Sequence, residues 1–217
     1  MSGYNPAEYG DSCAAFYDEL YPNIESGLVD TLSGLASGGR VLELGLATGR
    51  VARRLCDAGL AVHGIEASAS MIKRCQTLPG ASDIEIVLGD FAALPYMGPF
   101  RLVFALVNTL SLLPSRDLLT GCLKDIAEIL DPDGVFVYET FAVADAASAA
   151  TRNHSIRTGD GVQNYRVTSL DTSPQAFDDL ATASGLRLVD MWSDWRRNPV
   201  TVSSTRFIMV YGPAIEA

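Results

Sequence analysis

The chain has 217 residues, 48% of them apolar and 19% charged, with a formal net charge of -10. That length accommodates one well-cored domain over residues 1–217, and the composition excludes a disordered or fibrous protein. An acidic surface repels phosphate backbones, so no nucleic-acid partner is expected.

Strand and helix signals alternate from residue 40 onward. Residues 40–44 (RVLEL) form a short apolar run that stops at a glycine, the mark of a buried strand. Residues 49–58 follow with Val51, Leu55 and Ala58 on one helical face. Residues 61–65 (AVHGI) read as a second strand and 68–77 as a helix, with Ser68 as its N-cap. Residues 84–88 (IEIVL) make a third strand, and residues 100–106, almost wholly apolar, a fourth at the sheet centre. A long amphipathic helix over 116–130 ends at Asp131-Pro132-Asp133-Gly134, a strong stop and turn, before a fifth strand at 135–139 (VFVYE). Residues 142–151 are alanine-rich with little periodicity, and 152–161 are polar and loop-like. A helix over 174–184 and strands over 186–192 and 206–211 complete the chain.

This order predicts a doubly wound α/β fold: a mostly parallel seven-stranded sheet with helices on both faces. The last two strands have no helix between them and are expected as an antiparallel hairpin at one edge.

Other features bound the setting. The longest apolar stretch, residues 102–113, is too short for a bilayer and carries Asn108, Thr109 and Ser111, so no membrane partner is expected. The start, MSGYNPAEYG, lacks the basic and apolar regions of a signal peptide. Cys13, Cys56, Cys75 and Cys122 are widely spaced and form no CxxC pair, which reads as reduced, mostly buried thiols in a cytoplasmic protein. With only His63 and His154 as histidines, no metal site is expected; His63 lies within the second strand and reads as structural.

In such sheets ligands bind beyond the carboxyl ends of the strands. The first strand runs into Glu43-Leu44-Gly45-Leu46-Ala47-Thr48-Gly49-Arg50, where small residues at 45, 47 and 49 let a ligand approach the backbone and the next helix presents its free N–H groups. The nicotinamide fingerprint GxGxxG would need a small residue at position 50, where this chain has arginine. Glu66 stands 21 residues after Gly45, at the end of the second strand, where a carboxylate can accept both hydrogen bonds of a ribose diol. Gly89-Asp90-Phe91 follows the third strand: Asp90 can accept from an adenine amino group, and Phe91 can supply an apolar wall. Met71, on the helix after the second strand, can pack on the same ring.

Taken together these segments resemble the class I S-adenosylmethionine-dependent methyltransferases. VLELGLATGRVARRL is similar to their first motif, VHGIEASASMI to the ribose-binding segment, IEIVLGDFAALP to the adenine-binding segment and ILDPDGVFVYETF to the turn and fifth strand. Small-molecule members of the glycine and amino-sugar N-methyltransferase type, including natural-product tailoring enzymes, are the nearest in pattern. The resemblance implies S-adenosylmethionine as cofactor, S-adenosylhomocysteine as product and a small-molecule acceptor methylated on nitrogen or oxygen. It implies a cofactor site of Glu43, Gly45, Ala47, Gly49, Arg50, Glu66 and Ala67, completed by Met71, Asp90, Phe91 and Leu106. The segment from Tyr9 to Asp18 resembles the leading helix of these enzymes, which places Tyr17 over the methionine end of the cofactor. Asn108, after the fourth strand, is then expected beside the transferred methyl, and His154, in the cover segment, is a candidate base.

Two departures stand out. Leu46 replaces the usual small residue, with a side chain that can point into the core. The cover between the fifth strand and the next helix, residues 142–173, is short. Its composition predicts a reduced, mobile lid over 142–170, with a second copy of the chain as one source of the missing wall. The departures keep two alternatives open: a non-methylating reaction on the same fold (cyclisation or decarboxylation) and a non-catalytic partner subunit.

Overall fold

A computed structural model describes residues 4–95 and 97–214. Its main sheet contains β1 (Val41–Leu44), β2 (Val62–Glu66), β3 (Ile84–Leu88), β4 (Phe100–Ala105), β5 (Leu130–Phe141), β8 (Leu186–Trp192) and β9 (Arg206–Pro213), in the order β3-β2-β1-β4-β5-β9-β8. Neighbours from β3 to β5 pair in parallel. β9 runs antiparallel between β5 and β8, which forms the expected edge hairpin. The order turns back between β1 and β4, and the candidate site lies beyond the strand ends at that switch.

β1 and β2 are buried on both faces, as central parallel strands must be. On one face, Leu42 and Leu44 pack with Leu119, Cys122 and Ile126 of α6 (Arg116–Ile129) and Phe177 of α7 (Pro174–Ala183). On the other, Val41 packs with Leu28 and Leu32 of α3 (Leu28–Ala36) and with Val51 and Leu55 of α4 (Arg50–Asp57). Each such buried side chain stabilises the fold by about 1.5–3 kcal/mol. Leu46 joins this second layer, beneath Gly64: a Cβ there would meet Leu46 Cδ1 at 2.7 Å. Its side chain therefore points away from the ligand face. Ser68 caps α5 (Ala69–Gln76), accepting the Met71 N–H at 3.1 Å. All four cysteines are free; three are buried and Cys56 is half-buried.

Three readings change. The Asp131–Gly134 stop lies within β5, as a bulge where pairing jumps from Phe100↔Leu130 to Leu102↔Val135. Residues 152–161 are not a loop: β6 (Ala150–Thr158) and β7 (Gly161–Ser169) pair antiparallel as a separate two-stranded sheet. The strands escape a search for apolar alternation because β6 is exposed along most of its length. The leading segment is two short helices, α1 (Glu8–Cys13) and α2 (Tyr17–Leu20), rather than one. No described helix is long and apolar enough to cross a membrane.

Candidate active site

The loop after β1 carries three residues in the left-handed region, Gly45 (φ 72), Ala47 (φ 51) and Gly49 (φ 69). Gly45 is required by packing as well: a Cβ there would lie 2.7 Å from Thr109 Cγ2. The left-handed Ala47 turns its backbone N–H towards β2, where Glu66 Oε2 accepts it at 2.8 Å. Glu66 Oε1 accepts the Ser68 N–H, also at 2.8 Å. Burial pushes the Glu66 carboxyl up from its ordinary range, and the N–H groups of Ser68, Ala47 and Ala67 oppose that shift. Each oxygen keeps a lone pair for a further donor.

Glu66 lines a narrow cleft with Gly45, Ala47, Ala67, Met71 and Phe91. The other wall is the N-terminal segment, through Pro6, Tyr9, Gly10 and Tyr17. That segment is seated by polar contacts. Asp11 Oδ1 accepts from Ser68 Oγ at 2.7 Å, and a Cβ on Gly10 would come within 2.5 Å of Ser68 Cβ, so only glycine permits the approach. Asp90 precedes the lining residue Phe91 but is not itself in the lining; its Oδ1 accepts the Ala92 N–H at 2.8 Å and the Tyr4 hydroxyl at 3.1 Å.

A second, wider cleft shares Tyr9, Tyr17, Thr109 and Leu112 with the first. Asn108, Tyr21, Arg152, His154, Tyr165 and Ser169 complete most of its lining. Tyr9 packs edge-on to both Tyr17 and Tyr165, and its hydroxyl lies 3.2 Å from that of Tyr21. Burial pushes the Tyr9 and Tyr17 phenols well above their ordinary range, so both stay neutral donors. Asn108 Oδ1 accepts from Tyr138 Oη at 2.8 Å and Thr140 Oγ1 at 2.9 Å. His154 is exposed on β6 and stacks on Tyr165, its cross-strand partner, at 5.2 Å.

Of the sequence-predicted residues, Tyr17, Gly45, Ala47, Glu66, Ala67, Met71 and Phe91 thus meet in one cleft, and Asn108 and His154 meet Tyr17 in the adjoining one; Asp90 lines neither. Four others stand behind them. Glu43 is buried in β1 with Oε2 unpartnered, and burial pushes its carboxyl up to about 8. Gly49 backs onto Cys75, whose Sγ a Cβ would meet at 2.8 Å. Arg50 turns outward over the Tyr21 ring and donates to Asn23 O at 3.1 Å. Leu106 is in the core, and its carbonyl accepts from Thr109 Oγ1 at 2.6 Å. Sequence reasoning missed Tyr21, Arg152 and Tyr165 as lining; the last two lie on the unrecognised hairpin.

Residues 41–134 match the family model described as a methyltransferase domain. The chain is 37% identical over 91 residues to an uncharacterized methyltransferase of Geobacillus thermodenitrificans, covering 41% of this chain and 42% of that protein. It is 29% identical over 134 residues to the cypemycin N-terminal methyltransferase of a Streptomyces species, covering 60% of this chain and 55% of that protein. The matched region is thus less than half the length of the first of these relatives. The structure of the CcbJ methyltransferase from Streptomyces caelestis is similar with a TM-score of 0.86 at 28% identity, over 98% of this chain and 100% of that one. With the glycine loop, the strand-end acids and the strand order, these likenesses show a methyltransferase-domain match over residues 41–134 and a fold similar to that of a solved methyltransferase along nearly the whole chain.

Proposed function

We propose that this protein transfers the methyl group of S-adenosylmethionine to a nitrogen or oxygen atom of a small molecule, such as a natural-product intermediate, in the cytoplasm. The observation that carries the reading is the Glu66 carboxyl group, held by two backbone N–H groups at the wall of the smaller cleft with a lone pair left on each oxygen. The residues present fit the cofactor. Glu66 is oriented to receive a ribose diol, and the Asp90 carboxyl, next in sequence to Phe91 of the cleft wall, can accept from an adenine amino group. When bound, S-adenosylmethionine supplies a methyl carbon already activated by its sulfonium sulfur.

The chain's contribution is then placement and exclusion of water, which can lower a barrier by roughly 7–11 kcal/mol. Tyr9 and Tyr17 stand where the two clefts adjoin and shield that junction. Both hydrogen bonds to the Asn108 amide end on Oδ1, so Nδ2 is left to donate to the acceptor. An imidazole nitrogen of His154 can take the acceptor's proton if the nucleophile is a hydroxyl; a neutral amine needs at most a weak base. The cypemycin relative's name speaks for an amine.

Titration calorimetry tests the reading. S-adenosylhomocysteine is expected to bind and a nicotinamide dinucleotide is not. The reverse pattern would overturn it. Mass spectrometry of products from candidate amines and alcohols then separates methyl transfer from another reaction on the same cofactor.

A further inference from the structure

At the end of β4 the backbone passes through two consecutive left-handed residues, Val107 (φ 49) and Asn108 (φ 61). Asparagine tolerates this region, but a β-branched residue rarely enters it, so the surrounding structure must hold Val107 there. The holder is Glu139 of β5. Its carbonyl accepts the Asn108 N–H at 2.9 Å, and its side-chain Oε2 accepts the Val107 N–H at 2.9 Å. The side chain is itself fixed: Glu139 is 4% exposed, Oε1 accepts from Trp195 Nε1 at 3.3 Å, and Arg206 Nη1 lies 3.6 Å from the same oxygen. Arg206 is in turn gripped by both carboxyl oxygens of Glu25.

What the bend positions is the junction of the two clefts. Thr109 presses its methyl group against Gly45, and Asn108 faces the larger cleft with Nδ2 left to donate. We propose that Glu139 is a positioning residue whose side chain holds residues 107–109 in this left-handed bend, and so sets the width of the cofactor cleft at Gly45 and the direction of the Asn108 amide. The inference rests on the reading of the smaller cleft as the S-adenosyl site. It assigns Glu139 no contact with either ligand.

The competing view is that Glu139 only completes the packing of Trp195 and Arg206. Three variants separate the two, each titrated with S-adenosylhomocysteine by calorimetry and followed by thermal unfolding. Glu139→Gln keeps the shape but offers an NH₂ group to either Val107 or Trp195, both of which are donors. Its affinity is expected to fall roughly tenfold, as for one buried donor left unmade at the site. Adding Val107→Gly should restore affinity to within about threefold of Val107→Gly alone, because glycine takes a positive φ without a clamp. Trp195→Phe removes the donor to the other oxygen and leaves the Val107 bond intact, so it should lower the unfolding temperature with affinity unchanged.

Unchanged affinity in Glu139→Gln, no rescue by Val107→Gly, or a loss of affinity in Trp195→Phe as large as in Glu139→Gln would each overturn the proposal. If Glu139→Gln is too unstable to titrate, a loss of affinity of about tenfold or more in Trp195→Phe overturns the proposal by itself. A wild-type protein that binds no S-adenosylhomocysteine would instead overturn the functional reading beneath it.

Discussion

Thr48 Oγ1 donates a 2.7 Å hydrogen bond to Asp18 Oδ1, which joins the glycine loop after β1 to the N-terminal segment that covers it. Thr48 is fully buried, and the other Asp18 oxygen accepts from Arg74 Nε at 3.2 Å. The cover is thereby latched to α5 as well as to the loop. Thr48→Val keeps the shape and removes the donor. It should cost about 0.5–1.5 kcal/mol of stability, the net worth of one such bond, and loosen S-adenosylhomocysteine binding several-fold. Urea denaturation and calorimetry on the same variant check both. A stability loss with unchanged affinity would mean that the latch serves the fold alone.

Glu66→Ala removes the carboxyl group that receives the Ala47 and Ser68 N–H groups. Two ribose hydroxyls would also lose their partner, at roughly 1.5–3 kcal/mol for each charge-assisted bond. The variant is therefore expected to bind S-adenosylhomocysteine more weakly by a few kcal/mol. Glu66→Gln should lie between it and the wild type, since the amide retains one acceptor. An unchanged dissociation constant in Glu66→Ala would reduce this residue to a brace for the loop.

The smaller cleft was largely legible in the sequence and most of the larger one was not, for a physical reason. β1, β2 and β4 are buried strands, and glycines mark the turn after β1, so composition and spacing report on the structure directly. β6 pairs with β7 alone and is exposed along most of its length, so Thr151, Arg152, Asn153 and Ser155 follow no apolar alternation. Its order comes from β7 and the N-terminal segment, through Tyr165 against Tyr9 and Phe16, and no local pattern reports such contacts. The Glu139 clamp is invisible for the same reason. It unites residues 32 positions apart with Trp195, 56 positions further on.

Glu43 gives the protein a distinctive pH response. Burial raises its carboxyl from 4.5 in the unfolded chain to about 8 in the fold, so the folded state prefers the protonated form. Its contribution to stability is then fully present below about 4.5 and is lost as pH rises to about 8. Glu66 shifts in the same direction, so the test is a difference between wild type and Glu43→Gln, which is neutral at every pH. Relative to that variant the wild type should lose stability with rising pH across this window, by at most about 1.4 kcal/mol per pH unit. Urea denaturation at several pH values measures the difference. Parallel curves would show that Glu43 is already ionised in the folded protein.

The hairpin over the acceptor cleft is tethered unequally. β7 is held from below: Tyr165 packs on Tyr9 and Phe16, and Arg166 lies 3.2 Å from Glu8. At the turn, Gly159 N donates to Glu19 at 3.0 Å. The backbone of β6 pairs with β7 alone, and beyond it β6 is tied only through Arg152 to Asp171 and Ile156 against the N-terminal segment, yet it carries Arg152 and His154 into the lining of the larger cleft. A strand that buries so little opens at small cost, and residues 142–170 are therefore expected to act as a mobile cover. In the free protein the β7-bonded amides of β6 should exchange far faster than those of β1 and β4. Adding S-adenosylhomocysteine alone should slow α1, which lines its cleft, and with it β7, which packs on α1. Adding an acceptor as well should slow β6, because only then does the cover close on both ligands and bring His154 to the nucleophile. Time-resolved hydrogen exchange with mass spectrometry reads all three states. Protection of β6 in the free protein equal to that of β1 would show a rigid hairpin and leave the acceptor to enter by another route.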